Sequence, residues 1–239
     1  MEYNDGVEIV SVCNLRLVPQ PWAFAHDNAA AIDAHWATRS KANPGYFNGE
    51  IHLLRDGHTS GGAFTASFIQ TDFKSYLYWR ESGYPAAQTT DAFGSAILRS
   101  ADGYVLLGRQ SAGNINSGLA YLPGGFIDQR DVGPSGAIDI AASIDRELAE
   151  ETHLLPHELS AVPGFCIIRC GPLLSMAREV RSPLKAQHLR ALILDRIAAG
   201  PDPELADIVI IASLRDLESA NVPPYTALAL AHVLSAPDP

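Results

Sequence analysis

The sequence predicts a mixed-sheet α/β sandwich preceded by an aromatic-rich α+β segment. Three observations lead to this reading. Strand-like and helix-like stretches interleave without the repeating βαβ units of a doubly wound sheet. Positions 1–90 hold 13 aromatic residues, and the other 149 positions hold six. That shift places a boundary near Ala86-Ala87-Gln88-Thr89-Thr90-Asp91, giving an N-terminal extension (1–91) and a main domain (92–239). The chain has 239 residues, 47% of them apolar and 18% charged, enough to bury a sizeable core.

Each element has a local reason. Val7–Val18 reads as a strand. Asp27–Arg39 has helical composition, with Asp27 or Asn28 as its cap and Asn43-Pro44-Gly45 as its stop. Glu50–Leu54 and Phe64–Ile69 read as strands split by the turn-rich run from Asp56 to Gly62, and Asp72–Ser82 reads as a helix. Phe93–Arg99 and Tyr104–Arg109 flank Asp102-Gly103, a hairpin signal. A Gly/Asn/Ser loop (Ser111–Gly118), a short strand (Leu119–Leu122) and Pro123-Gly124-Gly125 follow. Next come a helix from about Asp139 to His153, a strand at Phe165–Arg169, a helix at Leu184–Ala199, and a strand at Ile208–Ala212. A last helix at Tyr225–Leu234 follows Pro223-Pro224.

Composition excludes several functions. Seventeen Lys plus Arg against 27 Asp plus Glu leave a net charge of −10. Such an acidic chain is poorly suited to nucleic acid or to anionic membrane surfaces, both of which need clustered cations. No apolar run reaches membrane-spanning length, and the start, Met-Glu-Tyr-Asn-Asp-Gly, has no signal-peptide pattern. Cys13, Cys166 and Cys170 lack redox or zinc spacing and read as free thiols of a cytoplasmic protein. P-loop, zincin and nucleophile-elbow strings are absent.

The segment that carries chemistry is Arg146-Glu147-Leu148-Ala149-Glu150-Glu151. With Ile144 at the centre of the helix's apolar stripe, Glu147 falls about 60° away, Glu150 about 120° and Glu151 only about 20°. A carboxylate so near the core seam is costly unless compensated, and carboxylates at i, i+3 and i+4 repel one another. A hard divalent ion, Mg²⁺ or Mn²⁺, would resolve both problems. The competing reading is a solvated acidic face with Arg146 paired to Glu150.

Together with Tyr121-Leu122-Pro123-Gly124-Gly125, this string resembles the Nudix hydrolases. The family box runs Gly, five residues, Glu, seven residues, then Arg-Glu-apolar-x-Glu-Glu-x-Gly-apolar. The chain supplies Gly125 and the run from Arg146 to Leu154, and the hairpin ending in Leu106-Leu107-Gly108-Arg109 resembles the family's first strands. The resemblance covers roughly 92–239 and implies a Nudix-type α/β/α sandwich. It implies metal-dependent hydrolysis of a pyrophosphate bond in a small-molecule nucleoside diphosphate derivative (ADP-ribose, UDP-sugar, NADH or coenzyme A class). It makes Glu147, Glu150 and Glu151 metal ligands together with the Gly124 carbonyl, and gives Glu147 and Glu151 the catalytic work. Glu204 and Glu179 are candidates for a base outside the box. Arg146 is expected to hold a carboxylate in place.

There are three departures. The family places Arg fourteen positions after Gly, whereas Arg146 follows Gly125 by 21. Ile138 stands eight before Arg146, where the box Glu is expected, and Asp139 follows it either as a substitute or as a helix cap. His153 replaces the closing Gly, which commonly supplies a left-handed helix end. The stretched form resembles boxes of certain coenzyme A diphosphatases. The last two departures motivate an alternative, a binding module of the same fold without turnover. Six cations (Arg169, Arg178, Arg181, Lys185, Arg190 and Arg196) fall close together in sequence and could receive phosphates, or could be scattered solvated charges. The N-terminal rings could form a second core, stack a base or make a homodimer interface.

Overall fold

The computed structural model describes residues 5–85, 88–113, 115–200 and 203–235. Tyr3, the Ala86-Ala87 pair of the expected boundary and Asn114 of the Gly/Asn/Ser loop lie outside these. In chain order the elements are β1 (Gly6–Val10), β2 (Val12–Val18), α1 (Ala23–Asp27), α2 (Ala29–Ala42), β3 (Glu50–Ser60), β4 (Ala63–Asp72) and α3 (Phe73–Glu81). They continue with β5 (Asp91–Arg99), β6 (Val105–Gln110), β7 (Ala120–Tyr121), β8 (Gly124–Phe126), β9 (Ala137–Ile138), α4 (Ile140–Thr152) and β10 (Ser160–Ala161). The last are β11 (Phe165–Cys170), β12 (Leu173–Arg181), α5 (Ala186–Ala199), β13 (Leu205–Ile211), α6 (Leu217–Ala220) and α7 (Pro224–Ser235).

Two mixed sheets result. The larger runs β1-β11-β12-β5-β6-β13, with β7, β8 and β10 attached; β12 and β5 are parallel and the other pairs antiparallel. Its central strand β5 is buried on both faces, and alternation along it sorts the layers. Gly94 faces Ile140 and Ile144 of α4, while the Phe93 ring meets Tyr225 of α7 at 5.0 Å. Helix α5 packs beside α4 on β13 and β6. The layers are therefore helix, sheet, helix, an α/β/α sandwich with a mixed sheet.

The smaller sheet runs β3-β4-β2-β9. Its residues come mostly from the first 72 positions, but β9 lies between β8 and α4 in the chain. In the other direction, β1 adds the chain's first described strand to the larger sheet, pairing Gly6–Val10 with Phe165–Arg169. A second apolar cluster gathers Trp22, Ile51, Leu53, Ile69, Tyr76 and Trp79, with Phe73, Tyr84 and Phe126 against it.

Several expectations need correction. The single strand Val7–Val18 is two, broken at Ser11 where the chain passes from one sheet to the other. The expected Asp56–Gly62 turn shrinks to Gly61-Gly62, because β3 and β4 continue through polar residues that face solvent. Asn28 precedes α2 but does not cap it; its side-chain amide donates back to the Phe24 carbonyl at 2.8 Å. Strand β12 was not anticipated, since Arg178, Glu179 and Arg181 give it no apolar end. The three cysteines are free, and no helix among the described residues is long and apolar enough to cross a membrane.

Candidate active site

The site is built where α4 meets the loop after β7. Asp139 caps α4, its carboxylate accepting from the Ala142 N–H at 3.0 Å, so this residue is a cap. At the other end His153 adopts φ 55° and ψ 21°, the left-handed conformation usually given to glycine, and the helix end survives the replacement. The Arg196 guanidinium holds the His153 carbonyl at 2.9 Å.

Glycines 124 and 125 let the loop reach the helix. A Cβ on Gly124 would lie 2.1 Å from the Gly94 carbonyl, and one on Gly125 would lie 2.2 Å from Glu147 Oε2. The backbone thus presses against β5 on one side and a carboxylate on the other. The Gly124 N–H donates to Glu151 at 3.1 Å, and the Tyr121 hydroxyl donates to its other oxygen at 2.9 Å. Burial drives the Glu151 carboxyl well above the usual range, and the charges of Glu204 and Glu147 add to the rise against these two hydrogen bonds. Glu147 is pushed up to about 7, again chiefly by burial, while the Arg146 charge opposes the shift.

Glu150 stands apart. It is largely exposed and is held by Arg130 at 3.2 Å and Arg146 at 3.4 Å. Arg146 also bonds Glu147 and reaches Asp131 at 2.9 Å. Asp131 is buried, accepts from Ser143 Oγ and the Asp128 N–H at 3.0 Å each, and so anchors Arg146 to the loop. Arg146 is a positioning residue in this arrangement. Counting back from Arg146 hides Asp131, but it lies six positions after Gly125, where the box acid belongs when counting forward. The added residues therefore fall between Asp131 and Arg146.

Glu147, Glu151, Glu204, Gly124 and Gly125 line one cavity of about 570 Å³. Its opposite wall comes from the N-terminal elements, including Phe73, Tyr76 and Tyr84, with Asp128 and Arg130 at the glutamate end. Among the described residues no group of three or more His, Cys, Asp or Glu side chains forms a ready-made metal cage. The donor set still suits a hard divalent cation: half-buried Glu147 and buried Glu151 offer carboxylate oxygens, the Glu147 charge helps to raise Glu151, and among the described residues no cation is bonded to Glu151.

The other candidates lie elsewhere. Glu179 pairs with Arg99 and Arg181 and does not line the cavity. Four of the six clustered cations are ion-paired, Arg178 to Asp145, Arg181 to Glu179, Arg190 to Asp207 and Arg196 to Glu158, and Arg169 lies over the Phe64 ring. None of the six lines the cavity.

No family model and no curated protein matches the chain. Among solved structures it is similar to a Nudix hydrolase from M. smegmatis, RenU, at 14% identity over 61% of this chain and 83% of that one, with a TM-score of 0.38. It is similar to a MutT protein from Methanosarcina mazei Go1 at 19% identity, 60% and 92% coverage and a TM-score of 0.37. It is also similar to a bifunctional NMN adenylyltransferase/ADP ribose pyrophosphatase from Francisella tularensis, solved with AMP and a manganese ion. That match has 16% identity, covers 66% of this chain and 44% of that one, and has a TM-score of 0.40.

Proposed function

We propose that the chain is a Nudix-type hydrolase that cleaves the pyrophosphate bond of a nucleoside diphosphate linked to another moiety. One observation carries the reading: two carboxylates of a single helix, half-buried Glu147 and buried Glu151, share a cavity with Glu204 and a glycine pair pressed against them. Glu147 and Glu151, with the Gly124 carbonyl, would hold Mg²⁺ or Mn²⁺. Such an ion would offset diphosphate charge and acidify a bound water.

The chain's own groups do the rest. Tyr121 and the Gly124 N–H fix Glu151 in one orientation. Asp131 holds Arg146 against the helix, so Glu147 is presented from a rigid element. Arg130, more than half exposed, can leave Glu150 and turn to a phosphate oxygen. Glu204 lines the same cavity, near enough for its charge to raise Glu151, and is the candidate base for water, whereas Glu150 does not line it.

The test is a panel of ADP-ribose, UDP-sugar, NADH and coenzyme A with and without Mg²⁺, read by phosphate release after phosphatase coupling. Glu151→Gln is expected to lower kcat about a hundredfold or more while Tm changes little. Full turnover by this variant would remove the carboxylate from catalysis. The ion pairs that bind Glu147 and Glu150 to arginines favour a second reading, a nucleotide-binding module without turnover. It predicts calorimetric binding but no phosphate release across the whole panel.

A further inference from the structure

The cavity extends well beyond the glutamates. Strand β5 gives a ruler: Asp91, Phe93 and Ser95 all line it. Ser95 pairs with Gly124, whose N–H bonds Glu151. Asp91 lies four residues earlier, about 13 Å along the strand at the usual rise. That is a distance a phosphate–ribose–base unit can span.

Asp91 is 3% exposed, yet its two oxygens are treated unequally. Oδ2 accepts the Tyr76 hydroxyl at 2.7 Å and the Tyr84 hydroxyl at 3.2 Å. Oδ1 is buried and accepts no hydrogen bond from the described residues. Buried acceptors are ordinarily satisfied, because an unmet one costs on the order of its desolvation. Rings line the cavity together with Asp91: Tyr76 meets Phe126 at 4.9 Å, and Phe73 lies 6.3 Å from Phe126. Phe47 lines the same cavity with 82% of its surface exposed.

We propose that this end of the cavity is a base subsite, in which Asp91 Oδ1 accepts a hydrogen bond from an N–H group of a planar heterocycle lying against the N-terminal rings. The proposal rests on the diphosphatase reading for the identity of the ligand's other half. Burial raises Asp91 to about 6 against the two tyrosine hydrogen bonds and the charge of Arg80, which lines the same cavity and reaches the Tyr76 hydroxyl at 3.4 Å. Near neutral pH the carboxylate is therefore an anion whose Oδ1 has no donor among the described residues. The tyrosine hydroxyls set its polarity. Since both donate to Oδ2, an asparagine here must keep its oxygen at that position and present its NH₂ where Oδ1 stands.

The experiment measures binding by calorimetry, on the full chain, without metal. The probes are AMP, GMP, CMP and UMP, with purine riboside 5′-monophosphate as the control that carries no N–H on its base. At least one donor-bearing nucleotide is expected to bind about tenfold or more tightly than the control. Asp91→Asn should bring that ratio below about threefold with Tm unchanged or raised. Phe47→Ala, which removes an exposed ring, should weaken every probe by about tenfold and leave the ratio alone. Equal binding of control and donors by the wild type, a ratio unchanged in Asp91→Asn, unchanged affinities in Phe47→Ala, or no binding of any probe would overturn the subsite. Binding with the expected pattern but no hydrolysis would instead defeat the diphosphatase reading and leave the subsite standing.

Discussion

Gly124 and Gly125 are neighbours with different reasons for lacking a side chain. At Gly124 the obstacle is backbone, the Gly94 carbonyl, which cannot move without breaking β5. Gly124→Ala is expected to destabilise by at least about 1–3 kcal/mol, seen as a lowered midpoint in urea. At Gly125 the obstacle is the end of the Glu147 side chain. Gly125→Ala should keep its Tm within a few degrees and lose activity as the carboxylate is displaced; equal activity would separate Glu147 from the reaction. Asp91 gives a pH-dependent stability. Its folded value, about 6, lies above the ordinary 3.8, so the folded chain holds the proton more tightly. That stabilisation is present below pH 4 and is lost as pH rises through 6. The Tm advantage of Asp91→Asn over the wild type should grow across that window and then level. The glutamates and glycines were legible because their residue types and spacing stand in the chain. Asp91 was not, because its significance comes from two tyrosines and a strand face that only folding assembles.

Helix α4 is the element on which the site stands. Its apolar stripe and the inward tilt of Glu151 follow from a period of 3.6 residues and could be anticipated, whereas Asp139 stood between a substitute for the box acid and a cap until the fold showed it accepting from the Ala142 N–H. The loop before it could not, since Asp131 lies outside the helix and no local periodicity ties it to Arg146. Asp131 and Arg146 form a largely buried pair, and removing one partner leaves the other charge uncompensated. Asp131→Ala should cost about 3–5 kcal/mol, measured by chemical denaturation, and should loosen Glu147 as well. His153 pays a left-handed backbone cost that glycine avoids. His153→Gly is expected to gain up to about 1 kcal/mol, seen as a Tm rise of about 2–4 °C. Strand β12 is illegible locally for a related reason: its Glu179 pairs with Arg99 of the neighbouring central strand β5, a tertiary arrangement that no local pattern reports.

Across the whole molecule, the seven residues between Asp131 and the helix that lengthen the box have a structural task. They include β9, whose Ala137 and Ile138 pair with Arg16 and Leu15, and Gly136, whose carbonyl takes the Leu17 N–H at 2.8 Å. The insertion thereby fastens the smaller sheet, and the rings that follow it, to the element carrying the glutamates. Deleting residues 132–138 should raise KM more than it lowers kcat, because the ring wall loses its tether while Glu147 and Glu151 keep their helix. A kcat loss alone would refute that division of labour. The first described strand carries a different implication. Gly6–Val10 finds its partner only at Phe165–Arg169, so during synthesis from the N-terminus it waits until most of the polypeptide has left the ribosome. Ile9 is still 59% exposed after folding, so this edge strand keeps an apolar side chain at the sheet's rim.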